Sequence, residues 1–506
     1  MPPEKPDSNA RSHLIQWAAG ITAIISLAAY AVWVYPWMLD DAFITFRYAV
    51  NLADGHGLVY NVGERVEGST TFLWALLLAC GRMIGLDVVN LSKLLASVFA
   101  VGTILLLLFS YRFISAVSRE AAAVAAVLLA TSGLFAPWPS SGMEVNQFVF
   151  LSLLAPLTYI KATESSRSGK LLVITGAIMA FAVMTRPDGA LLVLVLFGHC
   201  LYRSMRSRSL MVLSMAIPAA LLYVPYYIWR TAYYGYLLPN TFFAKVGYTS
   251  AQVMRGLEYV GDMAVWSIPL LLLSVIGVAT MLRSGWRNPA RLFAAVILIT
   301  AAYTILVGGD CMPAFRFLVP TLPLLCLLAG AAITRLLRKP GLLISAVGVL
   351  CAYNGVQTFA APQIMYHIQA DHVYLNGKEA GLWLKANCSP ETVIATNTAG
   401  SIPYYSGFKT IDMLGMNDEH IAHKQVADIG SGLPGHEKGD GNYVLAKQPE
   451  IIQFGSSLGT AKPKFPTDEE LFNNPGFHQY YRLHSVTLTE SGKRLLLWVR
   501  TSQPER

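Results

Sequence analysis

"TFLWALLLACGRMIGL", Thr71–Leu86, is the stretch on which the fold turns. It is apolar enough to resemble a membrane span. As a helix, though, it reaches only about 24 Å, against the roughly 30 Å of a bilayer's hydrocarbon core, and it carries Arg82. If it crossed, every loop after it would change sides.

The rest of the chain settles the question by its cations. Of 506 residues, 54% are hydrophobic and only 13% are charged, which excludes an ordinary soluble enzyme. Apolar runs predict spans near 14–36, 91–112, 121–137, 145–161, 171–185, 189–203, 209–230, 264–283, 291–307, 316–334 and 341–358. The first is too long for a cleaved signal core and lacks a cleavage site, so it is expected to stay. Lys5 and Arg11 precede it. Arg112 and Arg119 come next, then Lys161, Arg167 and Lys170, then Arg203, Arg206 and Arg208. Arg283, Arg287 and Arg291, and finally Arg335, Arg338 and Lys339, close the series. All these clusters share the cytoplasmic side if the N-terminus is cytoplasmic and Thr71–Leu86 does not cross. That run therefore reads as a re-entrant or interfacial helix. The expected fold is an α-helical polytopic membrane protein of about eleven transmembrane helices plus this re-entrant or juxtamembrane helix. The net charge of +8 is a membrane-topology signature and not a nucleic-acid one.

The opposite, outer face then holds the unusual loops. These are the first loop, 37–90, with Asp40 and Asp41, "SSGMEVN" with Glu144, and "TRPDG" with Arg186 and Asp188. "YYGYLLPNTFFAKVG" with Asn240 and Lys245 follows, then "GGDCMPAFRF" with Asp310 and Arg316. Residues 1–358 read as a transmembrane module and 359–506 as a soluble α/β domain on the outer surface. In that tail "HVYLNGKEAGLWLKANC" has helical spacing, "ETVIATN", "KTIDMLG" and "EIIQFG" read as strands, and "HSVTLTESGKRLLLWVR" reads as a hairpin turning at "ESGK". Six cysteines show no metal spacing, and spacing does not decide whether Cys311 and Cys388 pair.

A transporter would place polar groups along its spans. Here Lys93, His199, Asn354 and Gln357 are the main ones, all near span ends, so chemistry at the interface is favoured over passage through it. "DDAFITFRYAVNLADG" reads as a helix opened by acids and closed at Gly55. Its acids can be a helix-start feature. Alternatively, Asp40, Arg47 and Asn51 share a face on which a carboxylate deprotonates a hydroxyl beside a phosphate-holding cation.

In series with "GERVEG", "SGMEVN", "TRPDG", "YYGYLLPN", "GGDCM", "IDMLGMND" and "PGHEKGDGNYVL", this loop resembles the GT-C glycosyltransferases, and within them the branch of terminal β-(1→2)-arabinofuranosyltransferases. The resemblance implies a polyprenyl-phosphate-linked sugar donor and a glycan or glycolipid acceptor from the cell envelope, meeting at the periplasmic face of a bacterial inner membrane. It implies Asp40 and Asp41 as the catalytic pair, and Arg47, Arg186, Lys245 and Arg316 as donor-phosphate ligands. Substrate contacts would come from His56, Glu67, Glu144, Asn240, Asp310, His436 and Lys438. No cofactor is expected, because cations can neutralise a monophosphate. Mg²⁺ or Mn²⁺ held by Asp40, Asp41 and Glu144 is the alternative. A flippase of lipid-linked sugars and a non-catalytic glycan-binding membrane protein are the competing functions.

Overall fold

The computed structural model describes residues 8–165, 168–283 and 286–501. Lys5, Arg167 and the side chain of Arg11 lie outside the described residues.

Long apolar helices dominate up to Ala360. Eight of them, among the described residues, are long and apolar enough to cross a membrane, or nine if the pair Ser250–Trp266 and Ile268–Arg283, bent by 87°, is one span. The difference from the eleven expected runs lies in two places. The run at 121–137 forms only the 12-residue helix Arg119–Ala130 and then turns through a 3-10 segment at Trp138–Ser140. The run at 189–203 continues as Gly189–Ser207, whose second half carries His199, Arg203 and Arg206 and dilutes its apolar character. Phe72–Met83 is a 12-residue helix. It starts beside Thr45, through the Thr45–Thr71 hydroxyl bond, and ends with Arg82 3.9 Å from Asp54. It therefore lies alongside helix Asp40–Ala53 over its whole length and is too short to span.

The loops between the long helices converge at one end of the bundle. Trp74 donates to the carbonyl of Gly142, Arg230 pairs with Glu67, and Gln252 donates to the carbonyl of Val307. At the other end Gln16 donates to the carbonyl of Leu108, and Ser12, Glu120, Arg335 and Arg338 surround one hollow.

The tail docks on the loop end. Its sheet contains β1 (Val393–Thr396), β2 (Lys409–Asp412), β3 (Ile451–Gln453), β4 (Tyr481–Thr487) and β5 (Arg494–Arg500), in the order β2-β1-β3-β5-β4. β1 is parallel to β2 and β3, while β5 is antiparallel to β3 and β4. Alternate residues serve opposite faces, as a strand's period of two requires. Ile394, Ile451 and Leu497 pack with Ala380 and Leu384 of helix Val373–Asn387, whereas Ala395, Ile452 and Trp498 pack with Phe454 and Phe477. The hairpin turns where "ESGK" places it, with Gly492 at φ 67°. All six cysteines are free thiols.

Candidate active site

Helix Asp40–Ala53 sets the site. Successive side chains on a helix diverge by about 100°, so adjacent acids cannot share a target. Asp40 faces the tail. Its carboxylate accepts from the backbone N–H of Gly400 at 3.0 Å and of Ser401 at 2.8 Å, and from the Ser401 hydroxyl. It thus caps the short helix Ser401–Ser406. Burial pushes its carboxyl up to about 6, although these hydrogen bonds pull the other way.

Arg47 and Asn51 share that face. Arg47 donates to the carbonyls of Tyr60 (2.6 Å), Pro403 (2.7 Å) and Phe408 (2.8 Å), and Asn51 donates to Val59 and Tyr60. The Asp40–Arg47–Asn51 face read from the sequence exists, but Asp40 and Arg47 hold the tail, Arg47 and Asn51 hold the first loop, and none of the three lines the cavity. Arg47, expected as a phosphate ligand, has its donors directed at three backbone carbonyls and at Oδ1 of Asn61 (3.1 Å), so here it docks the tail and the first loop.

Asp41 faces the other way, into a cavity of about 270 Å³ that also collects Thr45, Glu144, Arg186, Lys245, Asp310 and Arg316. Five separate loops thus meet at one point. Asp310 and Arg316 form a buried ion pair, Oδ2 to Nε 2.6 Å, at an angle that does not make a hydrogen bond. Burial works to raise the Asp310 carboxyl, but Arg316, Lys245 and Arg186 together hold it below its ordinary range. Arg186 binds Asp188 through two 3.0 Å hydrogen bonds and approaches Glu144 at 3.4 Å. The guanidinium groups of Arg186 and Arg316 both lie over the ring of Phe317, 5.3 and 5.5 Å from its centre. The loop that carries Arg316 takes left-handed backbone at Gly308 and Gly309 and again at Ala314 and Phe315 (φ 53° and 52°). A side chain at φ near +50° costs free energy, so the packed surroundings hold this turn in place.

Of the charged groups lining this cavity, two remain without an ionic or hydrogen-bonding partner among the described residues: the carboxylate of Asp41 and the ammonium of Lys245. The imidazole of His436 is close enough to feel both. Burial lowers its pKa, with Lys245 acting in the same direction and Asp41 against it.

The other expected contacts lie elsewhere. Glu67 is buried in a bidentate pair with Arg230, away from the cavity. Asn240 donates to the carbonyls of Gly415, Met416 and Asp418, clamping the tail's loop. Lys438 donates to the carbonyl of Ala422. His56 is exposed at the end of helix Asp40–Ala53. None of these four lines the Asp41 cavity. Sequence reasoning passed over Arg255, Tyr303 and Phe317, which line the cavity, and gave Asp188 no role. Asp188 was visible in "TRPDG". Arg255, on helix Ser250–Trp266, had no local signal. Among the described residues no group of three or more His, Cys, Asp or Glu side chains could hold a metal ion.

This arrangement can be set beside known proteins. The tail, residues 362–497, matches a family described only as a domain of unknown function, DUF8728. ArnT from Cupriavidus metallidurans bound to undecaprenyl phosphate superposes with a TM-score of 0.62 over 99% of this chain and 100% of that one, at 13% identity. The chain has the GT-C fold. In sequence, this GT-C chain is 29% identical over 372 residues to the terminal β-(1→2)-arabinofuranosyltransferase of Mycobacterium tuberculosis, covering 63% of the chain and 56% of the relative. The Corynebacterium glutamicum protein of the same name is 30% identical, covering 61% and 49%. The chain spans about half the length of these relatives.

Proposed function

We propose that this GT-C protein is a membrane glycosyltransferase that moves a sugar, of the arabinofuranose class named in its relatives, from a polyprenyl-phosphate donor to a glycan or glycolipid acceptor. The observation that carries the reading is the pairing pattern of the cavity. Arg186 and Arg316 are held by Asp188 and Asp310, while Asp41 and Lys245 stay free on the same surface.

Each group then has a task. The acceptor hydroxyl attacks the anomeric carbon. The new C–O bond forms as the bond from that carbon to the phosphate oxygen breaks, and polyprenyl phosphate leaves. Asp41 takes the hydroxyl proton. Lys245, with the outward edges of Arg186 and Arg316, neutralises the charge that develops on the leaving phosphate. His436, whose imidazole is held below its ordinary pKa chiefly by burial, can accept from a sugar hydroxyl, and Glu144 can do the same. The prenyl chain would stay in the bilayer while the headgroup enters the loop end. The clustering of Arg112, Arg119, Arg335 and Arg338 at the far end supports a periplasmic cavity and a cytoplasmic N-terminus, in a bacterial inner membrane.

The test is transfer by purified protein from a synthetic polyprenyl-phosphate arabinose, in detergent, with no membrane gradient. Asp41→Asn should lower turnover by about 10²–10⁴, the usual worth of a general base, with donor affinity little changed. Near-normal turnover in a folded Asp41→Asn protein would remove the base from this mechanism. Lipid-linked sugar movement in sealed vesicles without any transfer would favour a flippase.

A further inference from the structure

A second, larger hollow of about 1040 Å³ lies beside the cavity, between the first loop and the tail's edge strand β2. We propose that it is the binding groove for a neutral, linear glycan, whose end crosses into the Asp41 cavity as acceptor; this rests on the glycosyl-transfer reading above.

Three observations point there. The first is the surface chemistry. Tyr443 and His420 stack with ring centres 4.1 Å apart and 12° between planes, and His423 stacks on Phe243 at 4.1 Å with Tyr236 beside it at 5.0 Å. Flat rings in an open, polar groove suit the C–H faces of sugars, while nearby oxygens and nitrogens suit their hydroxyls.

The second is charge. The groove sets Arg65, Lys409, Lys424 and Lys447 against Glu64, Asp418, Glu419 and Asp440, so with its histidines neutral it has no net charge, and several of these groups are bonded within the protein. Lys409 pairs with Glu64 at 2.6 Å, His420 with Asp440 at 3.1 Å, and Lys424 with Glu470 at 2.9 Å. Tyr443 donates to Asp418 at 3.0 Å. With no net charge along the groove to attract an anion, a neutral polyhydroxyl chain fits best, bonding to the remaining lone pairs and protons of these side chains.

The third is the wall between groove and cavity. The same three segments face both. Val66, Tyr236 and Asn417 line the groove, and Gly68, Leu238 and Met416 line the cavity. The step along each chain is one or two residues, roughly 7 Å at most in extended backbone. The wall is also fixed. Tyr48 donates to Val66 and accepts from Gly68, and Asn240 holds the carbonyls of Gly415, Met416 and Asp418. A chain lying in the groove therefore presents its end across a rigid rim to Asp41.

The probe is a labelled neutral arabinan hexasaccharide, titrated against the whole protein in detergent. His420→Ala and Tyr443→Ala should each weaken binding by about ten-fold, the upper range for loss of one aromatic contact. Tyr443→Phe keeps the ring and should bind nearly as the parent does, separating ring contact from misfolding. Binding that ignores both alanine variants overturns the proposal even if transfer depends on Asp41, and so does equal affinity for a hyaluronan hexasaccharide, which is anionic. Conversely, binding that follows this pattern in a protein with no transferase activity leaves the groove standing and removes the transferase reading.

Discussion

At the scale of single residues, the adjacent acids Asp40 and Asp41 are separated by helix geometry alone, and their variants should part accordingly. Asp40→Asn should disturb the docking of the tail and spare the chemical step; Asp41→Asn should do the reverse. Asp40 also makes a pH prediction. Its folded value of about 6 lies above the ordinary 3.8, so between those limits the folded protein holds a proton that the unfolded chain releases. Its ionised, buried form costs stability above about pH 6, and that cost is relieved as the pH falls toward 4. The parent's melting temperature, measured against Asp40→Asn so that other groups cancel, should gain on the variant from about pH 7 down to about pH 5; a constant difference refutes the shift. The cations divide in the same way. Lys245→Ala removes an unpaired ammonium and should weaken donor binding by about 1.5–3 kcal/mol with little loss of stability. Arg316→Ala strands the buried Asp310 and should destabilise the protein by about 3–5 kcal/mol, visible in a thermal melt before any donor is added. Sequence motifs located these residues, because loops rich in glycine and charge stand out between apolar runs. They did not show which charges are already paired, since each partner arrives from another loop or another turn of the helix.

At the scale of elements, the strands of the tail and the short helix Phe72–Met83 were legible because period and length are local properties. The contact faces were not. The segment "GERVEGST" gives no sign that Gly68 touches the tail, yet a Cβ there would sit 2.0 Å from Oδ1 of Asn417 and 2.8 Å from the carbonyl oxygen of Met416. Asn417 cannot easily yield, because Asp412 accepts from both its backbone N–H (2.8 Å) and its side-chain amide (2.9 Å). Gly68→Ala should therefore cost about 1–3 kcal/mol, as overpacking does, and displace the wall between groove and cavity. Acceptor KM should rise more than donor KM, since the donor's prenyl tail does not depend on this rim. Equal changes in the two constants would show that the wall does not guide the acceptor.

At the scale of the whole molecule, Ser12, Glu120, Arg335 and Arg338 gather at one end of the bundle and the Asp41 cavity lies at the other, and the number of spans does not follow from counting apolar runs. Helix Arg119–Ala130 is nearly all buried, with neighbours in place of lipid, so its length is set by packing and a hydropathy count over-reads it. Orientation depends on which side each end faces and not on that count. The cavity, the groove and the tail sit with the loops that follow the first long helix, whose C-terminal neighbour Tyr35 accepts from Lys93. The start of that helix, at Ser12, shares the other end with Glu120, Arg335 and Arg338. Cations are retained on the cytoplasmic side during insertion, so the Arg335–Lys339 segment should be cytoplasmic and everything after Ala360 periplasmic. Reporter fusions placed after Lys339 and after Ala360 should report opposite sides, the first active as a cytoplasmic fusion and the second as an exported one. Helix Pro340–Ala360, with 21 residues and few buried side chains, is the element that must cross between them. If both fusions report the same side, that helix does not cross. If they report opposite sides in the reverse sense, the Asp41 cavity opens to the cytoplasm and the lipid-linked donor must be presented there.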